Sequence, residues 1–231
     1  MDGLKTLGVI VPFFNEEKYL MESVKRLIDI NLLNQIILVD DCSTDNSLKI
    51  AFELSKKYKN IEVVKNLSNT GKGGAVSYAL KYISTDYVFV HDADLEYFPT
   101  DIVEMFAQTN YNPDALILGS RTIGNKERKK IYFWTYLGNK LFALLFSLLN
   151  NYKVSDIASC YWLLKGDVLK KMDLQEKGFA IEVEVLSKFL KFNRSILEVP
   201  IKYNARTYEN GKKIKLKDGV IIFTKILKYK S

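Results

Sequence analysis

The run "FVHDADLEYFP" closes a buried-looking strand with Asp92 and Asp94, one alanine (Ala93) apart, and Glu96 follows two residues later. Like charges this close repel unless a cation neutralises them. Carboxylate oxygens suit Mg²⁺ or Mn²⁺, ions that keep part of their shell for water and substrate phosphates. Asp-x-Asp after a strand is therefore a holder for a metal–diphosphate, or a solvated turn of helix-capping acids ahead of Pro99. A second strand, in "ILVDDCSTD", also ends in acids, Asp40 and Asp41, with Asp45 beyond. The first strand ends in "VPFFNEE", which brings Pro12, Asn15 and Glu16 to the same edge. Three strand ends aimed at one place predict a shared cleft, where a carboxylate can accept hydrogen bonds from a nucleobase or ribose.

The elements that must position these groups alternate between two periods. Strands are expected at Leu7–Val11, Ile36–Val39, Ile61–Val64, Tyr87–Val90 and Ala115–Leu118. Helices are expected at Glu16–Ile30, Asp45–Tyr58, Gly73–Ile83 and Ile102–Gln108, with Ser43, Thr44 or Asp45 capping the second. Strands flanked by helices imply an α/β chain with a mostly parallel sheet covered on both faces. Ligands of such sheets bind beyond the carboxyl ends of the strands, where the acids lie. "NTGKGGAV" has neither Walker nor G-x-G-x-x-G spacing. Its Gly71, Gly73 and Gly74 suggest only a tight backbone approach near the cleft.

The second half differs. Cationic Lys126–Lys130 precedes a long apolar stretch, about 131–150, whose formal charge between Ile131 and Leu149 is Lys140 alone. Polar Thr135, Asn139 and Ser147 dilute it below a membrane span. It reads as an ordinary core helix, or as an amphipathic helix at an anionic lipid surface.

The chain has 231 residues, 48% of them apolar, which is enough for one domain with a real core. A net charge of +7 favours an anionic partner without choosing it. Two cysteines, Cys42 and Cys160, lack metal spacing and suggest a reducing compartment. The first residues lack the charge pattern of a signal peptide. His91, the sole histidine, precedes the acids; a metal role or packing into the sheet are both open. Tyr161 and Trp162 suit a sugar, a prenyl chain or the core. A nucleic-acid-binding role fits the charge, but the lysines are dispersed and acids crowd the cleft, so no nucleic acid is expected. A nucleotidyltransferase would be expected to open with a glycine- and lysine-rich phosphate loop, and "PFFNEE" stands there instead.

Taken in order, "VIVPFFNEE", "LVDDCSTD", "NTGKGGAV", "HDADLEYFP" and "LGSR" resemble family 2 glycosyltransferases of the GT-A fold. "SDIASCYWLLKGDVL", "KGFAIEVEVLSKF", "EVPIKYNART" and "GKKIKLKDG" resemble the dolichol-phosphate mannose synthase-like branch. The resemblance implies one glycosyltransferase domain over 1–231, with 1–120 binding a nucleotide-sugar donor and 121–231 facing the acceptor. It implies a Mg²⁺ or Mn²⁺ on Asp92, Asp94 and Glu96, and a nucleotide pocket edged by Pro12, Asn15, Glu16, Val39, Asp41 and Ala93. It also implies cationic help from Arg121, Arg206, Lys212 and Lys213, and a hexose passed with inversion from a GDP-mannose- or UDP-glucose-type donor to a polyprenyl phosphate. A hydroxyl acceptor would need a base, and Asp156 or Glu182 are the candidates; Glu182 and Glu184 could equally face solvent. The expected location is cytoplasmic, peripheral at the membrane face, by the amphipathic helix or through a separate membrane subunit. Two departures stand out. Cys42 replaces the glycine of "DDGS", so that turn is expected to be altered. Asp156–Trp162 keeps Asp156 and Cys160 of the branch's "DMETCYK" but not its acid or its lysine.

Overall fold

The computed structural model describes residues 4–124, 128–129, 133–192, 195–206 and 216–230; for 128, 129, 133–135, 216 and 217 it describes the backbone alone. The elements run β1 (Leu7–Phe13), α1 (Leu20–Asp29), β2 (Gln35–Asp40), α2 (Ser47–Lys57), β3 (Ile61–Lys65) and α3 (Gly71–Ala79, continued by a 3-10 turn). After these come β4 (Tyr87–Val90), α4 (Thr100–Gln108), β5 (Leu116–Ser120), β6 (Arg128–Lys129) and α5 (Phe133–Asn150). The remainder is β7 (Trp162–Lys165), α6 (Gly166–Lys171), α7 (Ile181–Phe192), β8 (Ile196–Pro200), β9 (Tyr203–Asn204) and α8 (Leu216–Tyr229).

Seven strands form one sheet in the order β3-β2-β1-β4-β7-β5-β8, with β6 and β9 a separate small ladder. All neighbours are parallel except β7, which runs antiparallel between β4 and β5. Side chains alternate across a strand, so β1 sends Val9 and Val11 to a core shared with α1, α2 and α4. Its Ile10 enters the opposite core, shared with α3, α5, α7 and α8. Being apolar on both faces is what reads as a continuous hydrophobic run in the sequence. The chain order reverses between β1 and β4, and this opens the crevice where a doubly wound sheet takes its ligand.

Three local expectations are corrected. The first helix begins at Leu20 rather than Glu16, because Asn15 turns left-handed (φ +52°) and Glu16 starts a separate turn. The N-cap position of α2 is Asn46; Asp45 Oδ1 accepts the Ser47 N–H at 2.9 Å, while Ser43 and Thr44 bind Asn15 instead. The turn at Cys42 is not altered: the cysteine itself adopts φ +69°, the conformation a glycine would hold without strain.

Candidate active site

Asp41 leaves the end of β2 and collects four donors from the loop before α3. Oδ1 accepts from Asn66 Nδ2, the Thr70 N–H and Thr70 Oγ1 at 2.8, 2.9 and 3.0 Å, and Oδ2 from the Gly71 N–H at 2.7 Å. The glycines of this loop approach protein backbone. A Cβ on Gly73 would lie 2.1 Å from the Glu176 carbonyl oxygen, and Gly74 N–H donates to Lys177 O at 3.1 Å. That packing locks the start of α3 against the segment leading into α7.

Lys72, carried between those glycines, points back into the crevice. Its Nζ lies 2.9 Å from Asp92 Oδ1 and 2.7 Å from Glu182 Oε1. Burial works against the charge of Lys72, but Asp92 and Glu182 outweigh it and hold the ammonium firmly protonated. Burial also pushes Asp92 up, and Lys72 more than reverses this, so Asp92 stays ionised. Asp94 has the opposite fate: burial, then the charges of Asp92 and Glu96, push its carboxyl up to about 7.

Arg206 reaches Asp94 Oδ2 at 3.0 Å and Glu16 at 3.4 Å, and its backbone N–H donates to Glu96 Oε1 at 2.7 Å. Tyr203 donates its hydroxyl to Glu96 Oε2. At the end of β5, Arg121 grips Asp156 through its backbone N–H, Nε and Nη2 at 2.8–2.9 Å, with its guanidinium 4.9 Å from the Tyr203 ring centre.

These groups line one cavity of about 280 Å³, walled by Pro12, Glu16, Asp41, Lys72, Asp92, Ala93, Asp94, Glu96, Arg121, Glu182, Tyr203 and Arg206 among others. Asp41 and Asp92 thus share one cleft, as the strand ends predicted.

Not every expected residue joins them. Val39 is fully buried in the core of one sheet face and takes no part in the cavity wall. Asn15 is exposed; its side chain accepts the Thr44 N–H at 2.8 Å and so ties the loop after β2 to the end of β1. Asp156 is fully buried behind Arg121. Burial raises its pKa, yet the Arg121 guanidinium overrides this and holds it below the ordinary range. A carboxylate so paired and so placed cannot take a proton from an acceptor, which overturns that reading. Glu182 and Glu184 do not face solvent, since both are buried. Tyr161 and Trp162 are core residues, and His91 is pinned in the sheet packing between Ser23 Oγ (3.0 Å) and Tyr161 Oη (2.8 Å). Lys212 and Lys213 lie outside the described residues. Among the described residues no set of three His, Cys, Asp or Glu side chains is gathered as a ready metal shell. Asp92 is turned to Lys72, Asp94 to Arg206, and Glu96 to Tyr203 and Arg206. Lys72 and Tyr203 lie outside the residues expected from the sequence; Lys72 stands in "TGKGG", whose glycines suggest only a backbone approach.

The family model for glycosyl transferase family 2 matches residues 8–173, from β1 to the segment after α6. The UDP-N-acetylglucosamine–dolichyl-phosphate N-acetylglucosaminyltransferase of Methanococcus voltae is 30% identical, over 98% of this chain and 96% of that protein. The dolichol-phosphate mannosyltransferase of Pyrococcus furiosus is 29% identical over 89% of this chain, and the match spans 58% of its own length. Glucosyl-3-phosphoglycerate synthase from Mycobacterium tuberculosis, crystallised with Mn²⁺, UDP and phosphoglyceric acid, superposes with a TM-score of 0.75 at 17% identity. That superposition covers 97% of this chain and 78% of that one. With the GT-A sheet order, the strand-end acids and a family match over most of its length, this chain belongs to glycosyl transferase family 2, in the dolichol-phosphate mannosyltransferase-like branch, and is a glycosyltransferase.

Proposed function

We propose that this glycosyltransferase moves a hexose, with inversion, from a nucleotide-diphosphate sugar to a polyprenyl phosphate at a membrane face. The observation that carries the reading is the convergence of Glu16, Asp41, Asp92, Asp94, Arg121 and Arg206 on one cavity at the carboxyl ends of β1, β2, β4 and β5. Pro12, Glu16 and Asp41 form its nucleoside edge. Arg121 and Arg206 stand ready for the phosphates, and Lys212 and Lys213 would join them.

The acids suit a divalent cation. Asp94 is pushed up to about 7 by burial and by neighbouring carboxylates, so the cluster is short of positive charge. Hard oxygen donors favour Mg²⁺ or Mn²⁺. Asp92 and Asp94 would hold it, with Glu96 as a further ligand once Arg206 turns to the diphosphate. The bound ion supplies charge neutralisation to the leaving nucleoside diphosphate. Arg121, kept rigid by Asp156, adds a fixed cation where charge develops. A phosphate monoester has a second pKa of about 6 and is largely ionised near neutrality, so it needs no general base. This agrees with the loss of Asp156 as a base. The two curated relatives carry dolichyl or dolichol phosphate in their names.

Contact with the lipid would come from α5 and α8, which pack together. Leu137, Leu141, Leu144 and Leu148 form one exposed stripe on α5, and Val220, Ile221, Phe223 and Leu227 are exposed on α8. Among the described residues no helix is long and apolar enough to cross a membrane. Two exposed apolar faces with flanking lysines fit interfacial attachment.

A hydroxyl acceptor remains a second reading, favoured by one observation: Glu182 lines the cavity with its pKa raised by burial, which suits a base. The deciding experiment incubates the protein with Mn²⁺ or Mg²⁺, radiolabelled GDP-mannose or UDP-glucose, and either a polyprenyl phosphate or the corresponding polyprenol. Label in the organic phase with the phosphate alone supports the proposal. Transfer to the free alcohol alone, or to neither, overturns it.

A further inference from the structure

Glu182 opens α7 and stands in the cavity wall beside Gly178 and Phe179. Its Oε1 is held by Lys72 at 2.7 Å, and Lys72 in turn bridges to Asp92. Its Oε2 is buried and has no hydrogen-bond partner among the described residues. A charged oxygen left in that state is costly, and such groups in native proteins generally have a partner that the protein alone does not supply. A carboxylate only accepts hydrogen bonds. A phosphate, whether of donor or acceptor, would be repelled there, and so the complementary group is neutral and rich in hydroxyls. The position is one ammonium away from Asp92, which would hold the cation beneath the diphosphate, and the donor sugar is bonded directly to that diphosphate.

We infer that Glu182 is a donor-specificity residue: Lys72 fixes one carboxylate oxygen, and the other accepts a hydrogen bond from a ring hydroxyl of the donor hexose. This rests on the nucleotide-sugar reading above and goes further by naming which part of the donor is read and by which atom. Glu182→Gln tests it with little change of shape. Lys72 would hold the remaining carbonyl oxygen, leaving an amide donor where the hydroxyl needs an acceptor.

The test is calorimetric titration of the whole chain in Mn²⁺ with UDP, UDP-glucose, GDP and GDP-mannose. The native chain is expected to bind one nucleotide sugar more tightly than its nucleoside diphosphate. E182Q is expected to lose about tenfold of that sugar-dependent affinity, the range for a hydrogen bond to a charged group, with the nucleoside diphosphate unchanged. A series of singly deoxygenated donors on the native chain should contain one member that reproduces the loss, and E182Q should show no further loss with that member. Equal weakening of nucleoside diphosphate and nucleotide sugar would overturn the inference, as would a fall in kcat alone with sugar affinity intact. If no nucleotide or nucleotide sugar binds the native chain, the donor reading itself falls and takes this inference with it. If they bind but E182Q leaves the difference untouched, only the inference falls.

Discussion

Lys72 lies on Asp92: the ammonium at the first turn of α3 is 2.9 Å from a carboxylate oxygen at the end of β4. The pair places a protein cation where the family resemblance puts a metal ligand. The same holds for Arg206 on Asp94 at 3.0 Å. Two of the carboxylates thus have a protein cation beside them before any substrate arrives, and a divalent ion alone must displace a lysine from Asp92. A nucleoside diphosphate offers Lys72 a new partner, so ion and nucleotide should bind together. Lys72→Met removes the competitor. Mn²⁺ affinity without nucleotide, read by electron paramagnetic resonance of the free ion, should rise by about tenfold, while affinity for a nucleoside diphosphate falls. Unchanged Mn²⁺ binding would show that Lys72 does not guard Asp92.

Arg121 and Asp156 form a buried pair of three hydrogen bonds, and breaking such a pair from one side costs about 3–5 kcal/mol. Asp156→Asn should destabilise the fold by that order near pH 7 and loosen Arg121, weakening nucleoside diphosphate binding. The pH dependence follows from the depressed carboxyl. The unfolded aspartate takes a proton below a pH of about 3.9, whereas the native one resists it to lower pH. The pair's contribution is therefore fully present above that value and is lost as pH falls toward the native pKa. Urea midpoints from pH 7 to pH 2.5 should fall less steeply in D156N than in the native chain at the acid end. Parallel curves would remove the pair as the cause.

Cys42 sits at φ +69°, in the left-handed region that favours glycine. A non-glycine residue held in the left-handed region costs about 1–2 kcal/mol. Cys42→Gly should raise stability by about 1 kcal/mol, the relieved strain being partly offset by the freer unfolded chain. Cys42→Ala keeps the strain and should gain nothing. Denaturant midpoints of the two variants decide the matter, and equal values would place the strain elsewhere.

The turn at Cys42 also marks a limit of what is legible in the sequence. Strand positions were legible because both faces of β1, β2 and β4 are apolar, and the acids at their ends had to share a cleft once the sheet was parallel. The inserted antiparallel β7 was not legible, since its four residues Trp162–Lys165 carry no period of their own and gain their place from pairing with β4 and β5. Asp156 could not be told from a cleft residue, because its role depends on a long-range partner, Arg121, 35 positions away. Lys72 was visible but not its aim, which is set by how Gly73 packs on Glu176. Glycine positions in sequence announce a close approach; they do not say to what.

The leucine stripe of α5 was expected from the sequence as either core or lipid contact, and the structure divides it. Phe146 and Ala143 face the core, while Leu144 and Leu148 are 57% and 70% exposed. Apolar side chains on one exposed face contribute to interfacial binding through buried area, and each leucine fully buried is worth about 1.5–3 kcal/mol. Leu144→Glu with Leu148→Glu should leave the thermal midpoint within about 2 °C, because neither side chain supports the core. Binding to phosphatidylglycerol vesicles, measured by flotation, should fall by tenfold or more, with transfer to a polyprenyl phosphate in vesicles falling in parallel. Transfer to a short, water-soluble prenyl phosphate should be unaffected. Loss of both activities would place the leucines in the catalytic fold, and retention of both would leave α5 without a lipid-binding role.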